Sequence, residues 1–199
     1  MNMPSTHFPT LSGHILPRLF SETPLLRQIF LVLTGSLFIA VMAQLSFRLP
    51  MSPVPITGQT FAVLLVGTAL GSRLGVLAVL AYCLEGIWFP VFAEARTWAH
   101  PITIYTAGYL VGFIGAAYVA GFLAERGWDR SVISTVLAML IANAVIYVPG
   151  MLWLGYMLAP APVTDIMYKG MAVFMIGDAL KIILAVALFP TLWKLVNRR

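Results

Sequence analysis

The stretch from Tyr168 to Trp193 is long and apolar enough to cross a bilayer, yet it carries a carboxylate, Asp178, and an ammonium group, Lys181, near its middle. On a helix two residues three apart share a face. Each charge would cost roughly 2.5–3.5 kcal/mol at a helix centre on insertion scales, so such residues face a bundle interior or a cavity rather than lipid. Two readings follow. The two groups pair and only fix how helices pack, or they form the polar end of a binding site.

Composition sets the class. Of 199 residues, 60% are hydrophobic and only 10% charged, against about 25% charged in soluble domains. The chain therefore reads as an integral membrane protein with an all-α fold. Its net charge of +5 is no nucleic-acid signature, because the basic residues lie between and beyond apolar runs. Cys83 is the single cysteine, which excludes an internal disulfide. His7, His14 and His100 have no ligand-like spacing, so no metal site is expected. A Walker-type phosphate loop is missing as well, so ATP hydrolysis by this chain alone is not expected.

Taken in order, residues 1–23 are mixed and rich in Pro, Ser and Thr, and lack a signal-peptide pattern. They read as a cytoplasmic tail with a short interfacial turn near Ile15–Phe20. Thr23-Pro24 resembles an N-cap followed by proline at the first helical position. The first spanning helix is predicted from Pro24 to Phe47. Ser36 and Ala40 on one of its faces permit close helix approach, either within the chain or against a partner helix. The prolines at 50, 53 and 55 forbid a helix there. A second helix is expected from the Ile56–Phe61 segment to Leu70, and a third from Leu74 to Trp88. Both are short for spans. Glu85, near the end of the third, either reaches water or serves as a ligand.

Residues 89–101 form an aromatic loop with Arg96, and Trp88 and Trp98 have the character of interface anchors. The fourth helix, 102–124, carries Gly108, Gly112, Ala116 and Ala120 at four-residue intervals, which is a packing signal. A fifth, 131–158, contains Asn143 and Tyr147 before Pro149-Gly150, a site for a kink. Asn143 suits an interhelical hydrogen bond. Ala159–Lys169 reads as a Pro-containing loop before the sixth helix. Six spans put Arg18, Arg27, Arg73, Arg126, Arg130, Lys194, Arg198 and Arg199 on one side, and Arg48, Arg96 and Lys169 on the other. That asymmetry predicts cytoplasmic termini. The unusual loops at 48–55, 89–101 and 159–169 then face outward, and a site open to the outside follows. The domain reading is a 1–23 tail, a six-helix unit over 24–195 and a 196–199 tail.

Several segments, in this order, carry a family resemblance. They are Pro53-Val-Pro-Ile-Thr57-Gly-Gln59-Thr60-Phe61, Phe89-Pro-Val-Phe-Ala93, Thr106-Ala-Gly-Tyr109-Leu-Val-Gly-Phe113 and Gly177-Asp178-Ala-Leu-Lys181. Together, over roughly 30–195, they resemble the BioY family, the biotin-binding S components of energy-coupling-factor (ECF) transporters. The family has a longer, Gly-rich segment after the Phe-Pro-Val-Phe-Ala motif, and Gly-Gly where Ala107-Gly108 stands.

The resemblance implies an S-component fold in a prokaryotic cytoplasmic membrane, in contact with lipid and capturing biotin from outside. It implies three partner subunits, a transmembrane coupling subunit and two ATP-binding-cassette ATPases, and no cofactor. Asp178 and Lys181 would meet the biotin head group, and Arg96 is the positional match to an arginine implicated from the outer loops. Ser36 and Ala40 would meet the coupling subunit.

Biotin has a ureido ring with two N–H donors and a carbonyl, an apolar sulfur ring and a carboxylate tail. Asp178 can accept from the ureido N–H groups and Lys181 can donate to the carbonyl. Thr57, Gln59 and Asn143 are candidates for further polar contacts, Tyr82, Tyr109 and Trp98 for an apolar wall, and Arg96 for the tail carboxylate. Residue chemistry alone does not single out biotin. An S component for another vitamin and a stand-alone proton-coupled carrier are the competing readings, and an enzyme would need a nucleophile–base pair that is not visible.

Overall fold

A computed structural model describes residues 9–15 and 24–196. The elements run α1 (Leu11–Ile15), α2 (Pro24–Gln44), β1 (Ser46–Phe47), β2 (Ile56–Thr57), α3 (Gln59–Leu70), α4 (Ser72–Trp88), α5 (Pro101–Ala124), α6 (Val132–Leu158), α7 (Val163–Gly170), a 3-10 turn (Ala172–Phe174) and α8 (Met175–Val196). Among the described residues, four stretches are long and apolar enough to span a membrane: α2, residues 105–124 of α5, α6, and the run from 163 to 196. The short α3 lies at the centre of the bundle, against α2, α4, α5 and α8. Its Ala62 and Val63 are fully buried. A helix clothed by protein on every side need not match the bilayer thickness, because its polar ends meet protein instead of lipid.

Several boundaries differ from the sequence expectation. The first helix stops at Gln44, not Phe47, because Ser46 and Phe47 pair antiparallel with Thr57 and Ile56. This small ladder makes the chain mostly helical instead of purely so. It closes the Pro-rich loop and delivers the chain to α3, where the Thr57 hydroxyl accepts from the Gln59 amide at 3.2 Å. Gly58, at the α3 N-terminus, has no room for a Cβ: it would lie 2.7 Å from the Met42 carbonyl oxygen.

The predicted loop at 159–169 is largely α7, with Lys169 and Asp165 paired at 3.1 Å one turn apart. The sixth helix correspondingly begins at Met175, not Tyr168. The break at 171–174 follows Gly170, where a Cβ would come 2.9 Å from both Leu154 Cδ2 and the Tyr109 hydroxyl. The apolar run that continues from Met171 into α8 hides it. The expected turn near Ile15–Phe20 lies, beyond Ile15, outside the described residues. What is described there is α1, whose Leu11 is buried and whose Ser12 carbonyl accepts from Arg27 at 2.9 Å.

The end of the bundle near α1 is pinned by polar groups, of which Ser72 and Asp129 are buried. Glu125 accepts from the Ser72 amide at 2.8 Å, and Trp193 Nε1 donates to Asp129 at 2.5 Å. Burial raises the Asp129 carboxyl above its ordinary range, with that indole hydrogen bond opposing the shift.

Ser36 and Ala40, expected at a partner contact, lie inside the bundle. Both are buried, and the Ser36 hydroxyl donates to Glu85 on α4 at 2.7 Å and to the Leu33 carbonyl at 3.0 Å. The small-residue face is thus occupied inside the chain, where Gly35 also lies against Ala78 of α4. Ala40→Trp is therefore expected to destabilise the fold by about 3 kcal/mol or more, the upper range of overpacking. Leu37→Trp, on the exposed face of α2, should be tolerated. Thermal unfolding of the two variants in detergent checks this, and equal midpoints would restore the docking reading.

Candidate binding site

Where the α2–α3 loop, the α4–α5 loop and the α7–α8 break converge, a cavity enters the bundle. Its open space, counting the solvent at the mouth, is about 700 Å³, and its lining is mostly apolar with a few convergent polar groups. One wall is a hydrogen-bonded cluster. Asp178 sits in the first turn of α8, buried, and accepts from Lys181 Nζ at 3.1 Å through Oδ1 and from the Tyr147 hydroxyl of α6 through Oδ2. Lys181 also donates to Thr60 Oγ1 of α3 at 2.7 Å. Two of its three N–H donors are thereby committed, and one remains for a guest.

The break before α8 explains why this wall is polar here. It brings a helix N-terminus to the cavity, and Phe174 of the 3-10 turn lines the same space. The free N–H groups and dipole of a first turn favour a carboxylate. Discontinuous helices with irregular backbone at a protein-lined cavity are a recurrent solution for polar sites in membranes.

Aromatic side chains close the remaining walls. Tyr109 lines the cavity with its ring, while its hydroxyl donates to the Gly170 carbonyl at 2.8 Å. Gly150 makes room for that ring, since a Cβ there would lie 2.4 Å from it. Phe92 lies where a Cβ on Gly86 would be, 2.1 Å from its ring, and meets Tyr82 and Trp98 edge-on at centroid distances of 5.3 and 5.0 Å. The motif around Phe92 is thus a folded-in aromatic wall. Arg96, from the same loop, is 8% exposed and lines the cavity, paired with Glu94.

The structure brings Asp178, Lys181, Arg96, Thr57, Gln59 and Tyr109 to one cavity. It does not bring the other four candidates to it. Tyr82 stands behind Gln59, receiving its side-chain amide at 2.5 Å. Trp98 backs Phe92 and donates its indole N–H to the Cys83 carbonyl at 2.8 Å. Glu85 is turned toward Ser36. Asn143 is buried in α6 but is not among the lining residues. Sequence reasoning gave neither Thr60 nor Tyr147 a role at the site. The available signal was their polarity within apolar runs, a weaker one than the charge that exposed Asp178 and Lys181.

Chemically, the walls offer an acceptor and an ammonium donor side by side, flat apolar surfaces, and a guanidinium. That set suits a small guest with a polar head that both donates and accepts, an apolar body and an anionic end. Among the described residues, no three His, Cys, Asp or Glu side chains gather to hold a metal ion.

Comparison with known proteins gives a consistent picture. Residues 12–198 match the BioY family. A biotin transporter BioY of Rhizobium etli is 36% identical over 170 residues, which is 79% of this chain and 89% of that protein. A probable biotin transporter BioY of Pyrococcus horikoshii is 38% identical over 123 residues, or 60% of this chain and 70% of that one. In fold, the chain is similar to the S-component for biotin from an ECF-type ABC transporter, with a TM-score of 0.74 at 22% identity, over 85% of this chain and 92% of the other.

Proposed function

The chain belongs to the BioY family, and from that premise we propose that it captures biotin and serves its uptake across the cytoplasmic membrane. The observation that carries the reading to this chain is the buried Asp178–Lys181–Thr60–Tyr147 cluster at the cavity wall. A ureido group needs an acceptor for its N–H groups and a donor for its oxygen within one small patch. Asp178 and Lys181 offer both at 3.1 Å separation. The aromatic walls from Phe92 and Tyr109 suit the sulfur ring, and Arg96 suits the carboxylate.

In this reading the chain makes six crossings, with α3 and α4 as the two short ones, and the cavity opens outward. The basic residues on the opposite side support cytoplasmic termini. Energy for release into the cytoplasm would come from a transmembrane coupling subunit and two ATPase subunits. We place their contact surface elsewhere than Ser36 and Ala40, which are buried within this chain.

The test is equilibrium binding of biotin to the detergent-purified chain, with thiamine and riboflavin as controls. Tight binding of biotin alone, without ATP or partners, is the expected result. A well-folded protein that ignores biotin would overturn the proposal.

A further inference from the structure

Around the mouth of the cavity, Arg48, Glu94 and Arg96 form a line from solvent to interior. Their side chains are 51%, 25% and 8% exposed. Arg48 Nε reaches both carboxylate oxygens of Glu94, at 2.6 and 2.9 Å, and Arg96 pairs with one of them. Two guanidiniums share one carboxylate, so the trio holds one positive charge in excess. We propose that Glu94 is the exchangeable counter-ion of Arg96, a specificity-determining residue that a guest's carboxylate displaces from Arg96 while Arg48 retains it.

The loop is built to hold Glu94 in that place. Glu94 and Ala95 both adopt positive φ, 60° and 54°, a conformation that non-glycine residues enter at a cost and keep only when the surroundings enforce it. The enforcement is visible. Gln44 at the end of α2 accepts from the Ala95 amide at 2.9 Å and donates to the Val91 and Phe92 carbonyls at 3.1 and 3.2 Å. Phe92 and Arg96 bond across the reversal through both backbone pairs. The reversal sends Arg96 inward and leaves Glu94 at the rim, between the two arginines.

A buried guanidinium without a counter-ion is strongly unfavourable, and Glu94 fills that role for Arg96. A carboxylate arriving beside Arg96 replaces it charge for charge and brings the trio to neutrality. A neutral tail cannot do so, since it would leave Arg96 bound to Glu94 with no gain. Arg48 makes the exchange easier by holding Glu94 after Arg96 is released. Glu94 thus discriminates on charge, not on shape.

The inference rests on the proposed capture of biotin, with its tail at Arg96. The test compares biotin with biotinamide, its neutral carboxamide, by calorimetric titration of the purified full chain. Glu94→Gln removes the competing charge and should tighten biotin binding about fivefold or more, with biotinamide unchanged within about twofold. Arg48→Gln should weaken biotin binding, and the double variant should match Glu94→Gln, because the effect of Arg48 passes through Glu94. Glu94→Gly relieves the positive φ as well and should show the same gain, which keeps the test open if the Gln variant is poorly folded. A Glu94 that merely struts the loop would make both variants bind both compounds less tightly, and that result overturns the exchange alone. Wild-type protein that binds neither compound would remove the capture reading and the exchange with it.

Discussion

Asp178→Asn is expected to weaken biotin binding by roughly 30- to 1,000-fold, about 2–4 kcal/mol, the range for truncating one partner of a buried charge pair. The loss has two parts. An amide in place of the carboxylate offers a weaker acceptor to the ureido N–H groups, and it leaves the Lys181 ammonium buried beside a neutral group. Lys181→Met should be comparably severe, because it strands Asp178 and removes the donor to the ligand carbonyl. Combining the two should cost less than the sum, since no unpaired charge is left behind. Tyr147→Phe removes one hydrogen bond to Asp178 and should weaken binding only about tenfold, as one charged hydrogen bond allows. Titration of each purified variant, with unfolding midpoints to confirm integrity, decides the matter. If both single charge variants stay within twofold of wild type, the pair is a packing device and the ligand binds elsewhere.

How far this site can be read from sequence depends on whether each signal is local. Asp178 and Lys181 announce themselves because a charge within an apolar run is expensive wherever the chain folds. Tyr147 and Thr60 do not, since a tyrosine or threonine in such a run is compatible with many environments, and their partners lie 31 and 121 residues away. Ser36 and Ala40 declared close packing correctly but could not name the neighbour, which is α4. The α7–α8 break is hidden for a different reason. The sequence is apolar throughout Met171–Met175, and the close fit of Gly170, at the end of α7, against Leu154 and the Tyr109 hydroxyl is a tertiary feature. In the α4–α5 loop the sequence showed aromatic surface and an arginine. The positive φ of two ordinary residues arises from tertiary clamping by Gln44, which no local pattern reports.

The four-residue stripe on α5 is a local signal with a large structural consequence. Ala116 and Ala120 are buried. A Cβ on Gly112 would lie 2.7 Å from the Ile146 carbonyl oxygen and 2.9 Å from Ile146 Cα. These are backbone atoms of α6, so no side-chain rotation relieves the clash. Gly112→Leu is therefore expected to abolish recovery of monodisperse, folded protein in detergent, because α5 and α6 must separate and lose their packing contacts.

Gly112→Ala tests the same contact more gently. Alanine gains about 1 kcal/mol in helix propensity over glycine, so a fall in the unfolding midpoint would mean that steric displacement outweighs that gain. Gly115 is the control. Its added Cβ meets only Val145 Cγ1, at 2.9 Å, a side-chain atom that can move, and Gly115→Ala should fold and bind as wild type does. The consequence reaches the site, because Tyr147 follows the very residue that Gly112 touches, and pushing α6 away withdraws its hydroxyl from Asp178. Gly112→Ala is thus expected to weaken biotin binding together with stability, while Gly115→Ala affects neither. A Gly112→Leu protein as stable as wild type would mean that α5 and α6 do not approach this closely, and the placement of Tyr147 against Asp178 would fall with that contact.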